Sequence, residues 1–164
     1  MKKICSLRKT AAVFLSFALL IFSLFSCTEQ KSAVSLMEDF VSAYGIRKTV
    51  FSSSLKEGED GFVSEGFLEK LYGDIGESVY EFAVVFTSDL RSLGECSVFV
   101  CHTAYDALTV SEAATDRIQM IRKLSVEGDT SSLEDAFVLR KGKVVVMCAL
   151  DDNGRARSLW DRAT

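Results

Sequence analysis

Residues 136–150, AFVLRKGKVVVMCAL, read as two β-strands folded back on one another. Val, Leu, Phe and Met dominate both sides of Lys141-Gly142, and a glycine supplies the positive φ that a two-residue hairpin loop needs. With Lys141-Gly142 as the loop, Leu139 opposes Val144 and Phe137 opposes Val146. Successive strand side chains point to opposite faces, so Phe137, Leu139, Val144, Val146, Cys148 and Leu150 share one face. Ala136, Val138, Val145, Met147 and Ala149 fall on the other. A sheet with one wet side alternates apolar with polar residues, and here both faces are apolar. The second strand is therefore expected to lie centrally with both faces covered, or to keep one face for a partner.

Upstream, Val79–Thr87 (VYEFAVVFT) and Glu95–Thr103 (ECSVFVCHT), separated by the polar stretch Ser88–Gly94, predict a second hairpin. Between the hairpins Val110, Ala114, Ile118 and Ile121 recur at helical spacing, which predicts an amphipathic helix over about 110–124. Thr109-Val110-Ser111-Glu112 has the spacing of a capping box, and Gly128 is the expected stop. Met37, Phe40, Val41 and Tyr44 predict a helix over 33–45 ending at Gly45. Ser64 is expected to cap a short helix through Phe67, Leu68 and Leu71, stopped by Gly73. Residues 52–61, SSSLKEGEDG, read as a loop. A polar turn at Asp151–Gly154 leads to a last short helix bearing Leu159 and Trp160. Strands and helices are grouped rather than alternating, so the expected class is α+β. Its antiparallel sheet has about four strands in two hairpins, with a central amphipathic helix and flanking helices.

The first 32 residues have a different character. MKKICSLRK (1–9) is basic, and AAVFLSFALLIFSLF (11–25) carries no charge. This apolar run of 15 residues suits a signal peptide and falls short of the roughly 20 that span hydrocarbon. Counting through Thr28 would permit a single-span anchor. The junction Leu24-Phe25-Ser26-Cys27 favours export instead. It resembles the lipobox of bacterial lipoproteins, with an aliphatic residue at −3, a small residue at −1 and cysteine at +1. Phe25 is bulkier than the usual −2 residue. The resemblance implies a signal peptide over 1–26, cleavage between Ser26 and Cys27, and a diacylglyceryl lipid on Cys27. Two acyl chains hold a protein stably where one does not. Residues 27–32 would be the lipidated N-terminus and tether; Thr28–Ser32, fully extended, reaches only ~16–18 Å. A single domain over 33–164 remains, with its core at about 65–155. Localisation at the outer face of the cytoplasmic membrane follows.

The whole chain has a formal charge of −4, with no acid before Cys27 and four basic residues there, so the mature part sits near −8. That balance argues against nucleic acid as a partner, since phosphate binding draws on clustered Lys and Arg. It also argues against electrostatic adhesion to anionic lipid.

The mature part also resembles a family of short, mostly Firmicute, lipoproteins known only as a domain of unknown function. The carrying residues are Leu68-Glu69-Lys70-Leu71-Tyr72-Gly73, Arg117-Ile118, and 136–146 (AFVLRKGKVVV), over about 65–155. The members' Tyr-x-Pro element has no counterpart in Val126–Leu133. The family implies architecture and lipoprotein status, and no activity.

The chemistry-bearing residues gather into no recognised set. Cys96 and Cys101, five apart on one strand, lie ~16 Å apart on opposite faces, too far for a disulfide. Cys148 could meet one of them across neighbouring strands, and an exported location permits oxidation. His102 is the one histidine, and it points away from Cys101. No zinc spacing or C-x-x-C is present. The acids Glu57/Glu59/Asp60, Glu134/Asp135 and Asp151/Asp152 lack calcium-loop spacing, and Asp151-Asp152-Asn153-Gly154 suits a β-to-α turn. No catalytic residue, cofactor or metal is expected. The reading is a non-catalytic, membrane-tethered interaction module with an envelope protein as partner. Its rivals are a small-ligand receptor using Tyr44, Tyr80 or Trp160, and an envelope enzyme whose carboxylates converge only in space.

Overall fold

A computed structural model of the chain describes residues 31–89, 92–124 and 131–163. In chain order the elements are α1 (Ala33–Tyr44), β1 (Phe51–Ser52), α2 (Glu65–Tyr72), a 3₁₀ turn (Gly76–Ser78), β2 (Val79–Asp89) and β3 (Ser92–Cys101). There follow α3 (Asp106–Leu124), α4 (Ser131–Glu134), β4 (Phe137–Lys141), β5 (Val144–Ala149) and α5 (Asn153–Ala163). Lys31–Thr164 pack as one compact unit.

The strands form one antiparallel sheet in the order β1-β2-β3-β5-β4. The α+β class and both hairpins are as expected. The fifth strand, β1, is an addition. Its two residues pair with Val84 and Ala83 at the sheet edge, inside a stretch too polar and too short to announce a strand. β2 and β3 also run further than expected, pairing to Asp89↔Ser92, so most of the polar stretch 88–94 is ladder.

The β4–β5 hairpin has a different register from the expected one. Lys141 pairs with Val144, so the loop is Gly142-Lys143, and Leu139 opposes Val146 while Phe137 opposes Cys148. Gly142 has φ of 59° and Lys143 is not at positive φ. A glycine leading the loop is the type II′ pattern, whose twist matches that of the strands. The register moves by two residues, so every side chain keeps its expected face.

Between β3 and β4, β5 is interior, and residues 145–149 are all buried. On one face Ala83, Val85, Cys96, Val98, Val146 and Cys148 pack under α1 and α5. On the other, Phe82, Val84, Phe99, Val145, Met147 and Ala149 pack under α2 and α3. The result is three layers, with helices covering both faces. α1 contributes Ala33, Leu36, Met37 and Phe40 at positions i, i+3, i+4 and i+7, a stripe that turns one helix face to the sheet. Phe40 stacks on Trp160 of α5, with centroids 4.8 Å apart. Gly45 closes α1 in the left-handed region, as expected.

The central helix starts a turn earlier than expected, at Asp106. The capping box is Thr103-Ala104-Tyr105-Asp106, not residues 109–112. The Asp106 carboxylate accepts from the Thr103 N–H at 2.9 Å and hydroxyl at 2.7 Å, and Thr103 Oγ1 accepts from the Asp106 N–H at 3.1 Å. Gly128, its expected stop, lies outside the described residues.

Candidate functional site

Three helices and the sheet meet at features that apolar packing alone would not produce. The densest is a buried polar cluster between α2, β3 and α3. Glu95 and Ser97, two apart on β3, point to the same face, toward α2 and α3. Glu95 is only 2% exposed. Tyr72, the last residue of α2, donates its hydroxyl proton to Glu95 Oε1 and lies 2.6 Å from Ser97 Oγ. Arg117 of α3 reaches Glu95 Oε2 with Nε at 3.0 Å and Nη2 at 2.7 Å. Burial, and next the Glu95 charge, push the Tyr72 hydroxyl well above its usual pKa.

Both Glu95 oxygens are thus engaged by donors of the same chain. A general base needs a free lone pair facing substrate. Here the carboxylate is committed to holding α2 and α3 against β3. Chemically the cluster is a clasp.

A second carboxylate serves α1. Glu81 of β2 is 7% exposed. It accepts from the Ala33 N–H at 2.9 Å and from the Val34 N–H at 3.4 Å, while Ser32 Oγ takes the Ser35 N–H at 3.1 Å. Together they satisfy three orphan donors of the first turn and place a negative charge at the positive end of the helix dipole. The start of α1 is fastened to the sheet at the point where residue 32 enters the domain.

A third feature is sulfur. Cys96 and Cys148 are direct partners in the β3–β5 ladder, both fully buried, with Sγ atoms 2.8 Å apart. Burial drives the Cys96 thiol well above its ordinary pKa, and its hydrogen bond with Cys148 adds to this. Cys101 faces the opposite layer, as its spacing from Cys96 requires, and burial raises its thiol to about 12.

The other sequence candidates stay dispersed. His102 is exposed, with its ring edge-on to Tyr80 at 5.7 Å. Tyr44 stacks on Phe40, and its hydroxyl sits at Asp152, accepting from the N–H at 3.1 Å. Trp160 is fully buried beneath Phe40. Tyr44 and Trp160 thus stack on the same Phe40, whereas Tyr80 lies apart from them beside His102. Asp152 caps α5 through the Arg155 N–H at 2.9 Å, and Asn153 Oδ1 takes the Leu150 N–H, so the 151–154 acids make the expected turn. Glu59 closes its own loop on the Lys56 N–H. Among the described residues, no three His, Cys, Asp or Glu side chains converge on a metal position. Also among them, no helix is long and apolar enough to cross a membrane. Ser26 and Cys27 lie outside the described residues.

The clasp escaped sequence reading, although a signal for it existed. Arg117 follows Ala114 by three and precedes Ile121 by four, on the margin of the apolar stripe of α3, and a cation there needs a counter-charge. Compared with protein-family models, curated proteins and solved structures, the chain matches none.

Proposed function

We propose that this chain is an exported bacterial lipoprotein, cut between Ser26 and Cys27 and held by lipid on Cys27 at the outer face of the cytoplasmic membrane. The domain over 33–164 then serves as a non-catalytic interaction module for an envelope protein. One observation carries the anchoring: Leu24-Phe25-Ser26-Cys27 closes a charge-free run of 15 residues that follows a basic start. The grip of Glu81 on Ala33 supports a short leash, because residues 28–32 alone separate the lipid from a helix fastened to the sheet. On the residues quoted above, the mature part resembles the short Firmicute lipoproteins of unassigned activity. The non-catalytic half of the reading is supported by the clasp, whose charged groups are spent on one another.

The test is metabolic labelling with palmitate in a bacterial host. The full chain should take up label and sediment with membranes, and Cys27→Ala should lose both. A Cys27→Ala protein that stays membrane-bound would replace the lipid anchor with an uncleaved apolar helix. Crosslinking of the anchored protein, read by mass spectrometry, should return a reproducible envelope partner; recovery of none would defeat the interaction reading.

A further inference from the structure

We infer that the end of the sheet beside Ala33 is a bilayer-facing surface that takes anionic phospholipid headgroups, an inference that rests on the lipid-anchor reading. Four chain segments meet at this end. α1 starts here, with Ala33 on Glu81. β2 begins and β3 ends here, where the His102 N–H donates to the Ser78 carbonyl at 3.2 Å. The Gly142-Lys143 loop is here too, since the Lys143 carbonyl accepts from the Cys101 N–H at 2.9 Å. A tether of five residues, ~16–18 Å at most, therefore attaches at the same end as these loops.

The surface chemistry of that end suits a headgroup layer. A register irregularity between Val79 and Glu81 takes Tyr80 out of the ladder, leaving it 71% exposed. Tyr105, in the turn entering α3, is 77% exposed. These are the two most exposed large apolar side chains among the described residues. Tyrosine, with an apolar ring and a polar tip, settles at membrane–water interfaces. Beside them the hairpin tip exposes Arg140, Lys141 and Lys143. Of the nearby acids, Glu65 (beside Gly76), Asp74 and Glu77 are exposed, and Asp106 is engaged by Thr103. The acids Glu134, Asp135, Asp151 and Asp152 lie at the opposite end, before β4 and after β5. A net charge near −8 thus conceals a basic hairpin tip, with no acid between residues 136 and 150, beside two exposed tyrosines, and the earlier expectation against anionic lipid fails to extend to that tip. Each lysine near an anionic surface strengthens partitioning about fivefold.

The experiment uses the full lipidated chain in phosphatidylcholine vesicles, with and without phosphatidylglycerol. A fluorophore is placed on Tyr105→Cys or, at the far end, on Asp135→Cys, and quenching by a headgroup nitroxide lipid is read. The label at 105 should be quenched at least twofold more than that at 135. Phosphatidylglycerol should widen the gap, and Lys141→Ser with Lys143→Ser should cancel the widening. Equal quenching at the two positions, or stronger quenching at 135, overturns the inference. A chain that carries no lipid by mass and does not float with the vesicles defeats the anchor reading instead.

Independently, the structure assigns Cys96 and Cys148 as a disulfide pair in the exported protein. They are ladder partners whose sulfurs already stand 2.8 Å apart, against about 2.05 Å in the bond. The Cys96 thiolate attacks a disulfide oxidant, which loses one thiol and leaves a mixed disulfide. The Cys148 thiolate then displaces the second thiol. Two electrons pass to the oxidant, and its two sulfurs take up the protons. Both sulfurs are inaccessible once folded, so exchange precedes the closing of β5 on β3. Protein acid-quenched from cells and denatured without reductant should label with maleimide at Cys101 alone, and reduction should expose two further thiols. Labelling of Cys96 and Cys148 before reduction overturns the assignment.

Discussion

Glu95 accepts from Tyr72, from Ser97 at 3.4 Å and twice from Arg117, and is 2% exposed, so its energetics depend on what surrounds it once a partner is lost. Arg117→Ala strands a buried carboxylate and should cost about 3–5 kcal/mol in urea unfolding. Pairing it with Glu95→Gln should recover much of that loss, a coupling that a double-mutant cycle measures directly. Additive losses would show that the two side chains do not depend on each other. Tyr72 sets a pH dependence with a definite sign. Its pKa is near 10 unfolded and well above that when folded, so the native state keeps a proton the unfolded state gives up. The stability it contributes is intact below about pH 10 and falls as pH rises further. Tyr72→Phe keeps the edge contacts with Phe82 and Phe99 but removes the titration. Urea midpoints between pH 8 and 11.5 should then fall less steeply than wild type above pH 10, by up to about 1.4 kcal/mol per pH unit. Sequence showed little of this scale. Alternation along β3 places Glu95 and Ser97 on one face with Phe99, but which helix brings Tyr72 and Arg117 there is a matter of topology.

At the scale of elements, sequence was a better guide wherever periodicity ran long. The faces of β5 and the stripe of α1 were legible because apolar side chains have to be covered, and the period says on which side. Boundaries were less legible for local reasons. Either Lys141-Gly142 or Gly142-Lys143 satisfies a loop containing one glycine, and only the preference of type II′ for glycine first separates them. The α3 start was misread because residues 103–106 and 109–112 both have capping-box spacing; hydrogen bonding selects the first. β1, with two residues, has no period at all. The fastening of α1 belongs here. Glu81→Ala leaves the Ala33 N–H buried without its acceptor, at a cost of about 1–3 kcal/mol. Native-state hydrogen exchange should quicken in the first turn of α1 while the β3–β5 ladder keeps its protection. Equal quickening throughout the domain would mean that the contact sustains the whole fold rather than one helix end.

For the molecule as a whole, the sequence conveyed the class and left open whether both faces of β5 are covered, while the second helix layer and the joining of the two hairpins through β3 and β5 came only from three dimensions. The penultimate element of the chain is thus a central strand, paired on both sides. A domain built this way is poorly suited to folding as it emerges. Until Ala149 is free, β3 lacks its neighbour, two helices lack part of their floor, and the nucleus must wait for contacts about 50 residues apart in sequence, which slow closure. Truncation after Asp135 should therefore abolish cooperative unfolding by circular dichroism, whereas removal of Arg162–Thr164 should leave it in place; a cooperative transition in the shorter chain would refute this order of events. Under the export reading proposed above, late closure has a use: a domain that cannot lock before β5 is present keeps its upstream strands pliable enough to be threaded.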